Sequence, residues 1–92
     1  MPVFVSVPTL LRSYTQDSKR VEAHGTTVRE VVDDLERCYQ GIRPRLMDAQ
    51  HLHRFVNLYV NDEDIRFLDN LDTVVADRDV ITILPAVAGG AR

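Results

Sequence analysis

The residues of this chain that could take part in chemistry lie close to its end. Leu84-Pro85-Ala86-Val87-Ala88-Gly89-Gly90 is followed by Ala91-Arg92. Proline has no N–H to give to a sheet ladder, so the strand before it is expected to leave the sheet at Pro85. Alanine, valine and glycine carry little side-chain bulk, and a Gly-Gly pair accepts nearly any backbone dihedral. Such a stretch can thread a narrow channel in another protein. Val87, Ala88 and Gly89 would pass through it as the flexible inserting segment, and Gly90 would reach a reactive centre buried there. Chain ends are commonly unordered unless tied down, so the meaning of this tail depends on the body that precedes it.

Other combinations of reactive side chains carry less. Cys38 falls on the apolar stripe of a helix, one heptad after Val31, and reads as a small core residue because a reactive thiol needs an exposed, electropositive setting. His51 and His53 stand at strand spacing without further ligands nearby, whereas a structural zinc takes four. Asp62-Glu63-Asp64 lacks calcium-loop spacing and reads as a solvated turn. No Ser/His/Asp or Cys/His arrangement and no phosphate-loop glycine pattern is present. The chain is expected to be acted on by enzymes, with no catalytic site, metal or bound cofactor of its own.

Composition narrows the setting. Ninety-two residues make one domain, with a β-sheet body over residues 1–85 and a flexible tail over 86–92. The single cysteine excludes an internal disulfide. There is no apolar run long enough for a membrane span or a signal peptide, so the expected compartment is the cytoplasm. Net charge is −3 with scattered Lys and Arg, which argues against a nucleic-acid face.

The elements that would position the tail can be read from periodicity. Val3, Val5 and Val7 alternate with Phe4 and Ser6 as a strand with one face on the core, and Val21 and Ala23 do the same over Arg20–His24. Leu10 and Leu11 are expected to be partly buried, and 14–18 to be a loop. Thr27 followed by Glu30 fits a capping box, and Val28, Val31, Val32, Leu35, Cys38 and Tyr39 form one stripe of an amphipathic helix that stops at Gly41. Residues 42–54 lack a period; Pro44 disfavours helix at Arg43, while Leu46 and Met47 pin this loop to the core. Val56, Leu58 and Val60 share a strand face, 61–64 is a turn, and 65–67 a short returning strand. Leu71, Val74 and Val75 suggest one helical turn, and Asp77-Arg78-Asp79 turns into the last strand, 80–84. The order β-β-α-β-β-β, with the apolar first and last strands paired in parallel at the centre, is an α+β β-grasp (ubiquitin-like) fold with a mixed sheet and one main helix on one face.

With that body in place, the chain resembles the ubiquitin-like sulfur carrier proteins, a family that includes the small subunit of molybdopterin synthase and the thiamine-pathway carrier. The likeness rests on Val5-Ser6-Val7-Pro8-Thr9-Leu10-Leu11-Arg12, on Leu46-Met47-Asp48, on the run from Leu52 to Phe67, and on Ile83-Leu84-Pro85-Ala86-Val87-Ala88-Gly89-Gly90. It covers residues 1–90 and is greatest to the branch that supplies sulfur for cysteine synthesis. The resemblance implies that Gly90 is adenylated with ATP on an activating enzyme and converted to a thiocarboxylate. It also implies sulfur delivery to an aminoacrylate on a pyridoxal-phosphate-dependent cysteine synthase, followed by release of the new cysteine by a zinc peptidase of the JAMM type. In this sequence Ala91-Arg92 follows Gly90, so the resemblance also implies cleavage between Gly90 and Ala91 before activation. Its alternatives are delivery of sulfur to a molybdopterin synthase large subunit, a protein modifier joined to lysines through Gly90, and a non-catalytic interaction domain. Leu10, Leu11 and Phe67 are read as edge-of-core packing, with a docking surface beside the tail as the other possibility.

Overall fold

Among the described residues a computed structural model places five strands in one sheet, four of them built on alternating apolar residues. The structure describes residues 2–48 and 50–85. Strands β1 (Val3–Ser6) and β2 (Arg20–Ala23) form an antiparallel pair in which Val5 faces Val21. Helix α1 (Val28–Cys38) follows, then a short helix α2 (Arg43–Leu46). Strands β3 (Val56–Val60), β4 (Glu63–Asp64) and β5 (Val80–Pro85) complete the sheet, whose order is β2-β1-β5-β3-β4. β5 runs parallel to β1 and antiparallel to β3, so it occupies the centre, as expected of its apolar sequence. The arrangement is the β-grasp fold.

One face of the sheet makes the core. Val3, Val5, Val21, Ala23, Val56, Leu58, Val60, Ile81 and Ile83 are buried there against Val28, Val31, Val32 and Leu35 of α1. Leu46 and Met47 are buried as expected and close one end of this layer. Gly25 lies so near the first turn of α1 that an added Cβ would come within 2.8 Å of the Glu30 Cβ and the Val31 nitrogen. Only the bare α-carbon fits between the strand end and the helix.

Several local readings change in the structure. The capping box is shifted by one residue: Thr27 Oγ1 accepts from the Glu30 N–H at 3.2 Å, but the Glu30 carboxylate reaches Thr26, not Thr27, accepting from its N–H and hydroxyl at 2.8 Å each. Cys38 is exposed, not part of the core. At about 100° per residue it lies at the rim of the helix stripe, whereas Tyr39 falls nearer the centre and packs on the core. Gly41 has the left-handed backbone expected of it, at φ 97°. Just after it comes a helix where a loop was expected, because Pro44 sits in the first turn of α2, where its missing N–H costs nothing. Glu36 braces this junction by accepting from the Gly41 and Arg43 N–H groups at 2.9 and 2.8 Å.

Residues 9–15 form a 3-10 segment whose last residue, Thr15, is buried, so the expected loop is mostly ordered turn. The return after β3 is likewise shorter than read. Asn61 and Asp62 both have positive φ, the two-residue hairpin turn that Asn and Asp favour. Pairing then lasts only for Glu63 and Asp64, and 65–67 is a 3-10 turn in place of a strand. Asp64 Oδ1 accepts from the Arg66 N–H at 2.8 Å, which pulls the backbone out of the ladder. The helical turn expected around Leu71 is a 3-10 segment over Asn70–Asp72; Leu71 and Val75 are buried, but Val74 is exposed. β5 continues through Pro85, which stands opposite Val56, so the chain is still in the sheet at that residue.

Three carboxylates are held below their ordinary range. Thr26 does this for Glu30 through its backbone and side-chain hydrogen bonds, and the Gly41 and Arg43 N–H groups do it for Glu36. Burial alone would raise Asp34, but hydrogen bonds from Arg37 and the His24 N–H, with the charges of both residues, outweigh it. A carboxylate with a depressed folded pKa stabilises the fold fully above its unfolded value, near pH 4. That contribution is lost as pH falls through the folded value. The midpoint of thermal unfolding is therefore expected to hold between about pH 7 and pH 5 and to drop below about pH 4. Asp34→Asn should lower the midpoint at neutral pH and flatten part of the acid slope, measured by circular dichroism across a pH series.

Candidate functional site

β5 carries the chain to its tail, and its alternation sorts the residues just before it. Ile81 and Ile83 point into the core, whereas Leu84 is 47% exposed on the outer face beside Asn57. That face continues through Thr82, flanked by Ser6 and Tyr59, to Val80 beside Phe4, whose ring lies under the Arg20 guanidinium at 4.4 Å. Phe55, half exposed, stands just before β3 near the same end.

A groove of about 290 Å³ opens where β5 ends, lined by Leu10, Leu11, Pro44, Arg45, His53, Val56, Ile83 and Pro85. α2 supplies one wall, the 3-10 segment after β1 the other. Leu11 is buried and serves the core, but Leu10 is 70% exposed at the groove, which overturns the edge-of-core reading for that residue. Phe67 is 82% exposed, which overturns the edge-of-core reading for that side chain, and it is not among the residues lining the groove. His53 Nε2 lies 2.7 Å from the Pro44 carbonyl, so this imidazole ties the 51–54 segment to α2. Gly90, Gly89, Ala88, Val87 and Ala91 lie outside the described residues. Pro44 and Arg45 are not legible as groove residues in the sequence, because their place beside Leu10 at the end of β5 depends on the packing of α2.

Residues 5–90 match the ThiS family, a span that ends on Gly90. The chain belongs to the ThiS family. Among its relatives is the sulfur carrier protein CysO of Mycobacterium tuberculosis (strain ATCC 25618 / H37Rv), 57% identical over 93 residues that cover 98% of this chain and 100% of that protein. In a crystal structure of the Amycolatopsis orientalis BexX/CysO complex, one chain superposes with a TM-score of 0.91 at 56% identity, covering 96% of this chain and 99% of that one. Small archaeal modifier protein 3 of Haloferax volcanii is 34% identical over 70% of this chain and 70% of its own length. The family assignment and the β-grasp fold thus agree with the resemblance read from the residues. Among the described residues no helix is long and apolar enough to cross a membrane.

Proposed function

We propose that this ThiS-family chain is a sulfur carrier for cysteine synthesis, a protein co-substrate that works through a thiocarboxylate on Gly90. The observation that carries the reading is 57% identity to a sulfur carrier protein over essentially the whole of both chains, with a family match that ends on Gly90. A carboxylate is a poor electrophile. Attack of its oxygen on the α-phosphorus of ATP, held by the activating enzyme, releases pyrophosphate and gives an acyl-adenylate. A sulfur nucleophile then displaces AMP. The resulting C-terminal sulfur is a tethered nucleophile, suited to delivery inside a pyridoxal-phosphate-dependent cysteine synthase. Because Gly90 is in peptide linkage to Ala91, a peptidase, of the zinc JAMM type, must first free the carboxylate. No step requires a catalytic side chain from the carrier itself.

A modifier role, with Gly90 in amide linkage to lysines of other proteins, is the second reading, favoured by the likeness to an archaeal modifier. The deciding test is the intact mass of the protein from its native cells. The carrier reading expects loss of Ala91-Arg92 and one oxygen replaced by sulfur. A ladder of higher-mass conjugates and no thiocarboxylate would transfer the chain to the modifier role.

In this reading the activating enzyme docks on the groove at the end of β5, supported by the exposure of Leu10 there. Leu10→Asp should weaken capture of the carrier by that enzyme about tenfold, since burying a leucine contributes about 1.5–3 kcal/mol. Thermal stability should stay nearly unchanged, since Leu10 is mostly exposed. Surface plasmon resonance checks this, and equal binding would remove the groove from the docking surface.

A further inference from the structure

A second and larger concavity, about 510 Å³, lies on the other side of His53 from the groove. Its floor is apolar, built from Leu52, Val56 and Leu71. Its walls carry Arg29 from the start of α1, Arg54, and Arg66 from the turn after β4, with the imidazoles of His51 and His53. Asp69 and Asp72 also line it, and Asp64 pairs with Arg66, so the guanidinium groups are balanced by carboxylates at the rim and Arg54 is the one without an ion pair to a described residue.

The walls are held in place before any ligand arrives. The Val28 N–H donates to the Thr73 carbonyl at 3.0 Å and the Asp69 N–H to Thr73 Oγ1 at 3.0 Å, which fixes the start of α1 against the 65–72 segment. Met47 and Leu52 form an antiparallel bridge that sets the 51–54 segment. Arg29 and Arg66 are oriented by Asp72 and Asp64, at 3.4 and 3.5 Å, whereas Arg54 makes no ion pair with a described residue. Guanidinium groups lining one concavity present planar, bidentate donor forks, which suit the several oxygens of a phosphate. A volume within the range of small-ligand sites, with an apolar floor and a few placed charges, fits a small molecule in preference to a flat protein contact.

We infer that the concavity walled by Arg29, Arg54 and Arg66 binds a small phosphate-bearing anion. None of the residues walling it is assigned to sulfur transfer, and its test does not depend on that role. The full chain, labelled with nitrogen-15, is titrated with sodium pyrophosphate and, in a separate series, with ATP, both without magnesium and at constant ionic strength. Saturable amide shifts confined to 29, 50–54, 66 and 69–72 are expected with pyrophosphate. Tighter binding of ATP would identify a nucleotide as the source of the phosphate, and equal affinity a free polyphosphate.

Arg54→Glu should weaken either ligand by about tenfold or more, in keeping with the loss of one charge-assisted contact. Lys19→Glu, the same charge change at an exposed residue away from the walls, should leave binding as it was. Shifts that never saturate, or an Arg54→Glu chain that binds like the parent, would overturn the inference. So would a glutamate-rich peptide that produces these shifts while pyrophosphate does not, since the face would then belong to an acidic segment of a protein partner.

Discussion

A chain cut after Gly90 is expected to form an acyl-adenylate with ATP and the proposed activating enzyme, and the chain that keeps Ala91-Arg92 is expected to form little or none. The expected difference is large because the Gly90 carboxylate is free in one chain and an amide in the other, whose terminal carboxylate on Arg92 lies two residues further along. An amide carbonyl is not a nucleophile toward phosphorus in the way a carboxylate is. Pyrophosphate release measures the step directly, and mass spectrometry then reads the exchange of one oxygen for sulfur. Gly90→Ala in the trimmed chain keeps the carboxylate but adds a methyl group to the residue proposed to enter a narrow channel of the enzyme. Its adenylation should fall by about a hundredfold, since a misplacement of about 1 Å at a reacting centre can cost that much. Equal pyrophosphate release from the full-length and trimmed chains would show that cleavage is not needed.

Ile83→Ala and Leu84→Ala, neighbours in sequence, are expected to fail in opposite ways. Ile83 is 2% exposed and faces Leu58 across the β3–β5 ladder. Truncating it leaves a cavity among packed side chains and should cost about 2–5 kcal/mol. For a domain whose whole stability is about 5–15 kcal/mol, that lowers the thermal midpoint by roughly 10–25 °C. Leu84 sits on the solvent side of the same strand, so its truncation should change stability by about 0.5 kcal/mol or less. It should instead weaken docking of the activating enzyme, because its face leads into the tail. Urea unfolding and binding assays on both variants separate the two effects. Loss of stability in Leu84→Ala comparable to that in Ile83→Ala would mean that the outer face is covered in the free protein.

Much of the fold was legible because its signals are local. Strict alternation in Val3–Val7, Val21–Ala23 and Val56–Val60 specifies which side chains face the core, and the three- and four-residue spacing from Val28 to Leu35 specifies the face of α1. Parallel pairing of the first and last strands followed from their apolar content and from the helix between them. What escaped was set by single side-chain hydrogen bonds. Asp64 diverts 65–67 from strand to 3-10 turn, Glu36 organises the start of α2, and Thr26 displaces Thr27 as the partner of the Glu30 carboxylate. Such bonds decide between conformations that differ little in energy, and periodicity does not register them.

The sequence alone determined the β-grasp order, the core faces of the strands and helix, and the small-residue approach to Gly89-Gly90, because each depends on residues close together along the chain. Only the tertiary structure decided that Leu10 lies open beside the end of β5 and that Arg29, Arg54 and Arg66 share one concavity. These residues are far apart in sequence, and strand register and loop closure bring them together.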